Sequence, residues 1–279
     1  MLRKEVYSLF QLAWPIVLVQ IGIMSLGVVD TIAAGSLGAH ATAAVGLAQA
    51  WRIAALIIAQ GVAAGMVPLI AYAWSQHNFK DVAETLRYSL ILLSVLAIPI
   101  GYWYYWSEEG LLLLGQPSVL VHETGHYCKI LILSIPGFLG FYLLQGLLQG
   151  IGRIKPIIGI VIIANAVNAA ANWGMMNGWF GLPRLGINGI AWSTVITSIL
   201  MFVAMLIIAY PLFKTLPSAG FLSAPSLIKI TRLTLPVGFQ WALEIGVFHA
   251  ALLLAGRCIS SACHYSKFII FDIYHTIRA

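Results

Sequence analysis

Long runs without a single charged side chain constrain this chain more than any motif does. Among them are residues 6–29, 53–79, 88–107, 130–152, 156–183 and 185–213. Each reaches or exceeds the ~20 residues that cross ~30 Å of hydrocarbon at ~1.5 Å per residue. Hydrophobic residues make up 61% of the 279-residue chain, charged residues only 9%, and the mean hydropathy is +0.93. A soluble domain carries about 25% charged residues, so water is excluded as the main solvent of this one. The expected fold class is therefore an all-α integral membrane protein.

The apolar runs, and the Gly, Pro and charge clusters between them, predict helices over 9–34, 45–74, 86–106, 127–149, 155–176, 187–212 and 230–256. With the amino terminus in the cytoplasm, the inside segments hold Arg3, Lys4, Lys80, Arg87, Arg153, Lys155, Lys214, Lys229 and Arg232. The outside segments hold Arg52, Lys129 and Arg184. This asymmetry sets the expected orientation, multi-pass in a plasma or bacterial inner membrane. The net charge of +6 does not point to nucleic acid, because the basic residues are spread along the chain and never cluster with aromatics. Cys128, Cys258 and Cys263 supply no disulfide framework and no CxxC pair.

An internal repeat organises the spans. Sliding the chain by about 221 residues lays Leu12, Pro15, Ala34 and Gly35 on Leu233, Pro236, Ala255 and Gly256. Six helices then form one unit, residues 1–215, followed by a cytoplasmic linker over 216–229 and the first helix of a second unit over 230–256. Transporters are commonly built from two such bundles. Residues 257–279 have no counterpart to Ser36–Ala50, which follows the first copy. They read either as a divergent terminal helix or as a non-native tail on a chain that ends early, and the second is the expectation.

Two acids fall inside the spans, Asp30 and Glu244. A charge in the bilayer is costly enough that such groups are functional candidates by default. Asp30 lies near the outer end of its helix, where snorkelling to the interface is the plain alternative. Glu244 lies near mid-span, where a carboxyl kept neutral by a buried hydrogen bond is the alternative. The fifth span carries Asn165, Asn168 and Asn172 on one face, either as glue between helices or as a polar wall toward Asp30 that binds a hard cation or relays a proton. Gln145 and Gln149 on the fourth span and Thr194 on the sixth are weaker candidates that packing alone would explain.

One motif points to another class. His122-Glu-Thr-Gly-His126 matches H-E-x-x-H, in which two His bind zinc and the Glu is the base. A catalytic zinc needs a third protein ligand, and the later acids are the distant Glu244 and Asp272. An intramembrane zinc metalloprotease is the alternative this segment keeps open, beside its reading as a solvated helix start. No phosphate-cradling Gly loop and no nucleophile elbow occurs.

Taken in order, Leu12-Ala-Trp-Pro15, Val29-Asp30-Thr31, Ala34-Gly35, Gly61 to Gln76 with Asp81 and Thr85-Leu-Arg87, Leu148-Gln-Gly150, the three Asn, Gly186-x-x-Gly189-x-Ala191 and Leu235-Pro236 with Glu244 resemble multidrug and toxic compound extrusion (MATE) transporters. The likeness is to the bacterial NorM-like branch and covers about residues 5–256. It implies a twelve-helix fold of two lobes that exports cationic amphipathic drugs or toxins in exchange for Na⁺ or H⁺, with no cofactor, no enzymatic activity and no oligomer required. By matching position it implies that Asp30, Asn168 and Asn172 form the amino-lobe cation or proton site, with Thr194 beside them. Glu244 matches an acid of a carboxy-lobe sodium site whose other ligands would lie on helices absent here. Asn165, Gln145 and Gln149 are weaker substrate-side candidates, and a lipid-linked sugar flippase of related architecture is the other cargo class left open. In the expected mechanism an acid taken out of water holds a proton, and a cation or cationic drug competes for its charged form.

Overall fold

A computed structural model of the chain describes residues 2–181, 183–217, 227–228, 230–244 and 246–247. Its helices are α1 (Leu2–Gly35), α2 (Ala39–Ser75), α3 (Phe79–Tyr105), α4 (Ser107–Leu113), α5 (Ser118–Leu131), α6 (Ile135–Gly150), α7 (Lys155–Asn177) and α8 (Ile187–Phe213). Among the described residues, six helical stretches are long and apolar enough to cross a membrane, with α5 and α6 sharing one of them.

Local chemistry marks the helix ends. The Asn78 side chain accepts from the Asp81 backbone N–H at 3.2 Å and caps α3. Pro136 and Pro156 occupy the first turns of α6 and α7, where a missing N–H leaves no bond unmade. Gly178 closes α7 at φ +75°, the left-handed conformation that glycine enters without a Cβ clash. A 3₁₀ turn over Ile132–Ser134 separates α5 from α6 within one span.

Expected and observed starts differ for four helices: α1 begins at Leu2 rather than 9, and α3 at Phe79 rather than 86. The second helix begins at Ala39 rather than 45 and runs 37 residues, about 55 Å, so it projects well beyond the hydrocarbon. The fourth span begins at Ser118 rather than 127, because the polar HETGH segment is helical and continues the span outward. The seventh expected helix is described over 230–244 and 246–247, both helical. Residues 248–256, the 257–279 tail and most of the 216–229 linker lie outside the described residues.

The bundle packs around α6, which is buried on nearly every side and contacts α2, α3 and α8. Lipid tails are as apolar as Leu, so close packing rather than exclusion of water must hold such helices together. Glycines on α6 provide it. A Cβ on Gly137 would lie 2.7 Å from Ser198 of α8, and one on Gly146 would lie 2.8 Å from the Ala63 carbonyl of α2. Trp51 of α2 and Trp103 of α3 stack at 4.3 Å, and each indole N–H donates to the other's backbone carbonyl, at 2.9 and 3.1 Å. The exposed faces carry Trp14, Ile21, Ile98, Ile162, Ile163 and Ile207, as lipid contact requires.

Candidate functional site

Asp30 sits five residues before the end of α1, and the packing of α1 against α2, α7 and α8 turns it inward. It is 1% exposed, so the snorkelling alternative does not hold. Three helices supply donors to its carboxylate. Asn172 Nδ2 of α7 donates to Oδ1 at 2.9 Å. Gln49 Nε2 of α2 and the Thr194 hydroxyl of α8 both donate to Oδ2, each at 2.9 Å. The shell continues outward, since Asn172 also donates to Asn168 Oδ1 at 3.3 Å, and Asn168 in turn donates to the Ser193 hydroxyl at 3.3 Å.

Arg52 completes the constellation in a place where the charge pattern does not put it. The expected topology counts it with the outside segments, whereas α2 carries it inside the bundle, 8% exposed. Its Nε donates to Gln49 Oε1 at 2.8 Å, and its guanidinium lies 5.3 Å from the centroid of the Phe138 ring. Gln49 is thus wedged between the two charges, accepting from one and donating to the other. Among the described residues Asp30 and Arg52 form no direct salt bridge. Sequence reasoning passed over Gln49 and Arg52; the available signal was a polar pair spaced i, i+3 inside a run that is otherwise apolar.

The other candidates separate from this site. Asn165 donates to the carbonyls of Gly22 and Val161, both at 2.8 Å, and so ties α7 to α1 away from the carboxylate. Gln145 is buried and Gln149 partly so; both line a cavity of about 260 Å³ with Gln20, Gln60 and Trp241. Glu244 is exposed at the end of the 230–244 segment and is not part of the Asp30 cluster. The repeat puts it on a helix equivalent to α1, but not at the position equivalent to Asp30.

The H-E-x-x-H segment does not gather its ligands. His122 Nδ1 donates to Glu108 at 3.0 Å, His126 Nδ1 lies 3.2 Å from Asn188 Oδ1, and Glu123 meets His40 at 3.3 Å. Each side chain is drawn to a different partner on a neighbouring element. Among the described residues, no group of three His, Cys, Asp or Glu side chains could hold a metal.

Comparison with known proteins follows the same division. The family model MatE matches residues 15–173, more than half of the chain and the stretch that holds Asp30, Gln49, Arg52, Asn168 and Asn172. The chain belongs to the MatE family. A curated relative from Mesorhizobium japonicum, "Probable multidrug resistance protein NorM", is 30% identical over 264 residues, covering 91% of this chain and 56% of the relative. One of the same name from Pseudomonas syringae pv. tomato is 30% identical over 262 residues, again covering 91% and 56%. Among solved structures, the eukaryotic MATE transporter AtDTX14 superposes with a TM-score of 0.77 at 20% identity, over 91% of this chain and 56% of its own. The outward-facing form of a multidrug resistance MATE family transporter superposes with a TM-score of 0.70 at 22% identity, over 85% and 53%. This MatE chain therefore spans about half the length of the relatives it matches. The metalloprotease and flippase alternatives find no support in this company, and the dispersed HETGH ligands remove the first on geometry as well.

Proposed function

We propose that this chain forms the amino-terminal half of a secondary multidrug exporter that exchanges amphipathic organic compounds for Na⁺ or H⁺ at Asp30. One observation carries the reading: a fully buried carboxylate held by three uncharged donors from three different helices, with no basic side chain in a direct salt bridge to it among the described residues. Hydrogen bonds from amides and a hydroxyl keep such a group in place, yet they do not neutralise it. A bound proton or a small hard cation would. The Asn172 amide donates to Asp30 through its nitrogen while its buried Oδ1 has no hydrogen-bond partner among the described residues, so an oxygen ligand beside the carboxylate is available to a cation.

Because α1, α2, α7 and α8 all hold this one group, its charge state bears on how they pack, which is how ion occupancy would bias two conformations of the bundle. The proposed setting is a plasma or bacterial inner membrane with the amino terminus in the cytoplasm, the side on which Lys80, Arg87, Arg153, Lys155 and Lys214 fall. The proposed cargo is cationic amphipathic drugs or toxins, the proposed coupling ion is Na⁺ or H⁺, and no cofactor is invoked. Glu244 is proposed to act with a second lobe.

The test is Asp30→Asn in a version of the gene that encodes both lobes, assayed by efflux of a lipophilic cationic dye from energised cells. Loss of ion-driven efflux at unchanged membrane abundance is expected, and efflux at the wild-type rate would remove Asp30 from coupling.

A further inference from the structure

A cavity of about 470 Å³ opens along the seam between α1 and α2, and its walls are largely apolar, with Met24, Ile53, Leu56 and Phe138 among them. Its polar groups are Gln20, Thr31, Gln49, Gln60, Tyr142 and Arg52. Arg52 is the one formally charged side chain that lines it among the described residues, and Asp30 does not reach its surface. The carboxylate is behind Gln49, whose amide nitrogen is turned toward it and whose oxygen is turned toward Arg52.

The guanidinium is fixed but not spent. Its Nε is held by Gln49 at 2.8 Å and its plane lies by the Phe138 ring, while its terminal nitrogens make no hydrogen bond among the described residues. Nη2 lies near Gly27 of α1, where a Cβ would come within 4.0 Å of it. A more than nine-tenths buried, pre-oriented fork of N–H donors at the wall of an apolar cavity matches a planar carboxylate, which it can meet with two parallel hydrogen bonds. The same wall disfavours a bare ammonium head group.

We propose that this cavity is a carboxylate subsite, in which Arg52 receives the anionic end of an amphipathic ligand and the apolar walls receive its body. For cargo, this deepens the exporter reading: a compound bearing a carboxylate beside its cationic centre suits this lobe better than one that is cationic throughout. The binding step itself stands on Arg52 and does not depend on transport.

Two aromatic probes of equal size and opposite charge, 1-naphthoate and 1-naphthylmethylammonium, separate the possibilities when their binding to the full chain in detergent is measured by equilibrium dialysis. Naphthoate is expected to bind at least tenfold more tightly. Arg52→Gln, which keeps a hydrogen-bonding amide toward Gln49, is expected to abolish that preference, and Arg52→Lys to retain part of it. Asp30→Asn removes the negative charge behind Gln49 and is expected to strengthen naphthoate binding several-fold. Equal affinity of the two probes for the wild-type chain overturns the proposal whether or not any variant folds, and so does an undiminished naphthoate preference in folded Arg52→Gln. A naphthoate preference without efflux of either a cationic or a zwitterionic dye from the two-lobed protein would leave the subsite standing and remove the exporter reading.

Discussion

Gln49 lies between Asp30 and Arg52 and bonds both, its Nε2 donating to the carboxylate at 2.9 Å and its Oε1 accepting from the guanidinium at 2.8 Å. One neutral side chain thereby holds two opposite charges in a single buried arrangement without letting them touch. Gln49→Leu keeps the volume and deletes both bonds, leaving a carboxylate and a guanidinium each short of a partner. The expected loss is about 3 kcal/mol or more of stability, because removing a partner from a buried charge exposes its desolvation. Unfolding midpoints in detergent, compared with those of a lipid-facing control such as Ile163→Leu, check it.

Thr194 contributes a single hydroxyl to the same carboxylate, so Thr194→Val is the smallest change that subtracts one donor. Hydrogen bonds to charged groups are worth about 1.5–3 kcal/mol, which is the expected destabilisation. Thr197→Val, one turn along α8, is the comparison: its buried hydroxyl has no hydrogen-bond partner among the described residues, so its loss is expected to be neutral or stabilising. Equal effects of the two substitutions would show that the Thr194 bond does not matter.

Gly61 and Gly65 of α2 form a G-x-x-x-G face against the 230–244 segment. A Cβ on Gly61 would lie 2.5 Å from the Gly238 Cα, and one on Gly65 would lie 2.9 Å from the Thr234 Cα. Either contact is backbone against backbone and cannot be relieved by a rotamer change. Gly61→Leu should therefore push the segment off α2 and speed tryptic cleavage at Arg232. Gly46→Ala, with nothing within 4 Å, should leave the rate unchanged.

Outside the spans, α4 presents Glu108 to α5. The His122 hydrogen bond, followed by Lys129 Nζ at 3.3 Å, holds the Glu108 carboxyl below its ordinary value. A carboxyl whose folded value is depressed adds stability that is complete above its unfolded pKa of about 4.3 and is lost as pH falls through the lower, folded one. The melting temperature should fall on acidification below about pH 4.3. Glu108→Gln should flatten that part of the profile. The effect is expected to be small, because His122 is 82% exposed. A wild-type acid limb that persists in Glu108→Gln would assign it to other carboxyls.

How much of this was legible in the sequence depended on how expensive each residue is in a bilayer. Apolar runs marked the six spans because hydrocarbon admits little else, while the starts of α1, α2, α3 and α5 lie six to nine residues before the expected ones. Asp30 could be singled out because an acid inside a span is rarely tolerated without a role. Spacing put Asn165, Asn168 and Asn172 on one face, and the resemblance to MATE transporters, not the spacing, set Asn168 and Asn172 with Asp30. Asn165 shared their face, yet the structure spends it on two backbone carbonyls, since a helix face records direction and not which neighbour arrives.

Arg52 shows the converse limit. As the eighth residue of the expected 45–74 helix, Arg52 looks like a positive charge near the outer end of a span, and the rule that places such charges outside the hydrocarbon has no means of knowing that Gln49 and Phe138 wait to receive it. The six spans and the isolated acid, then, were determined by composition and period alone, because solvation acts on each residue separately. Which donors surround Asp30, where Arg52 points and why the histidines never converge were decided only by the packing of α1, α2, α7 and α8 and of α4 with α5. Those outcomes rest on distances between residues up to 164 positions apart, as between Asp30 and Thr194.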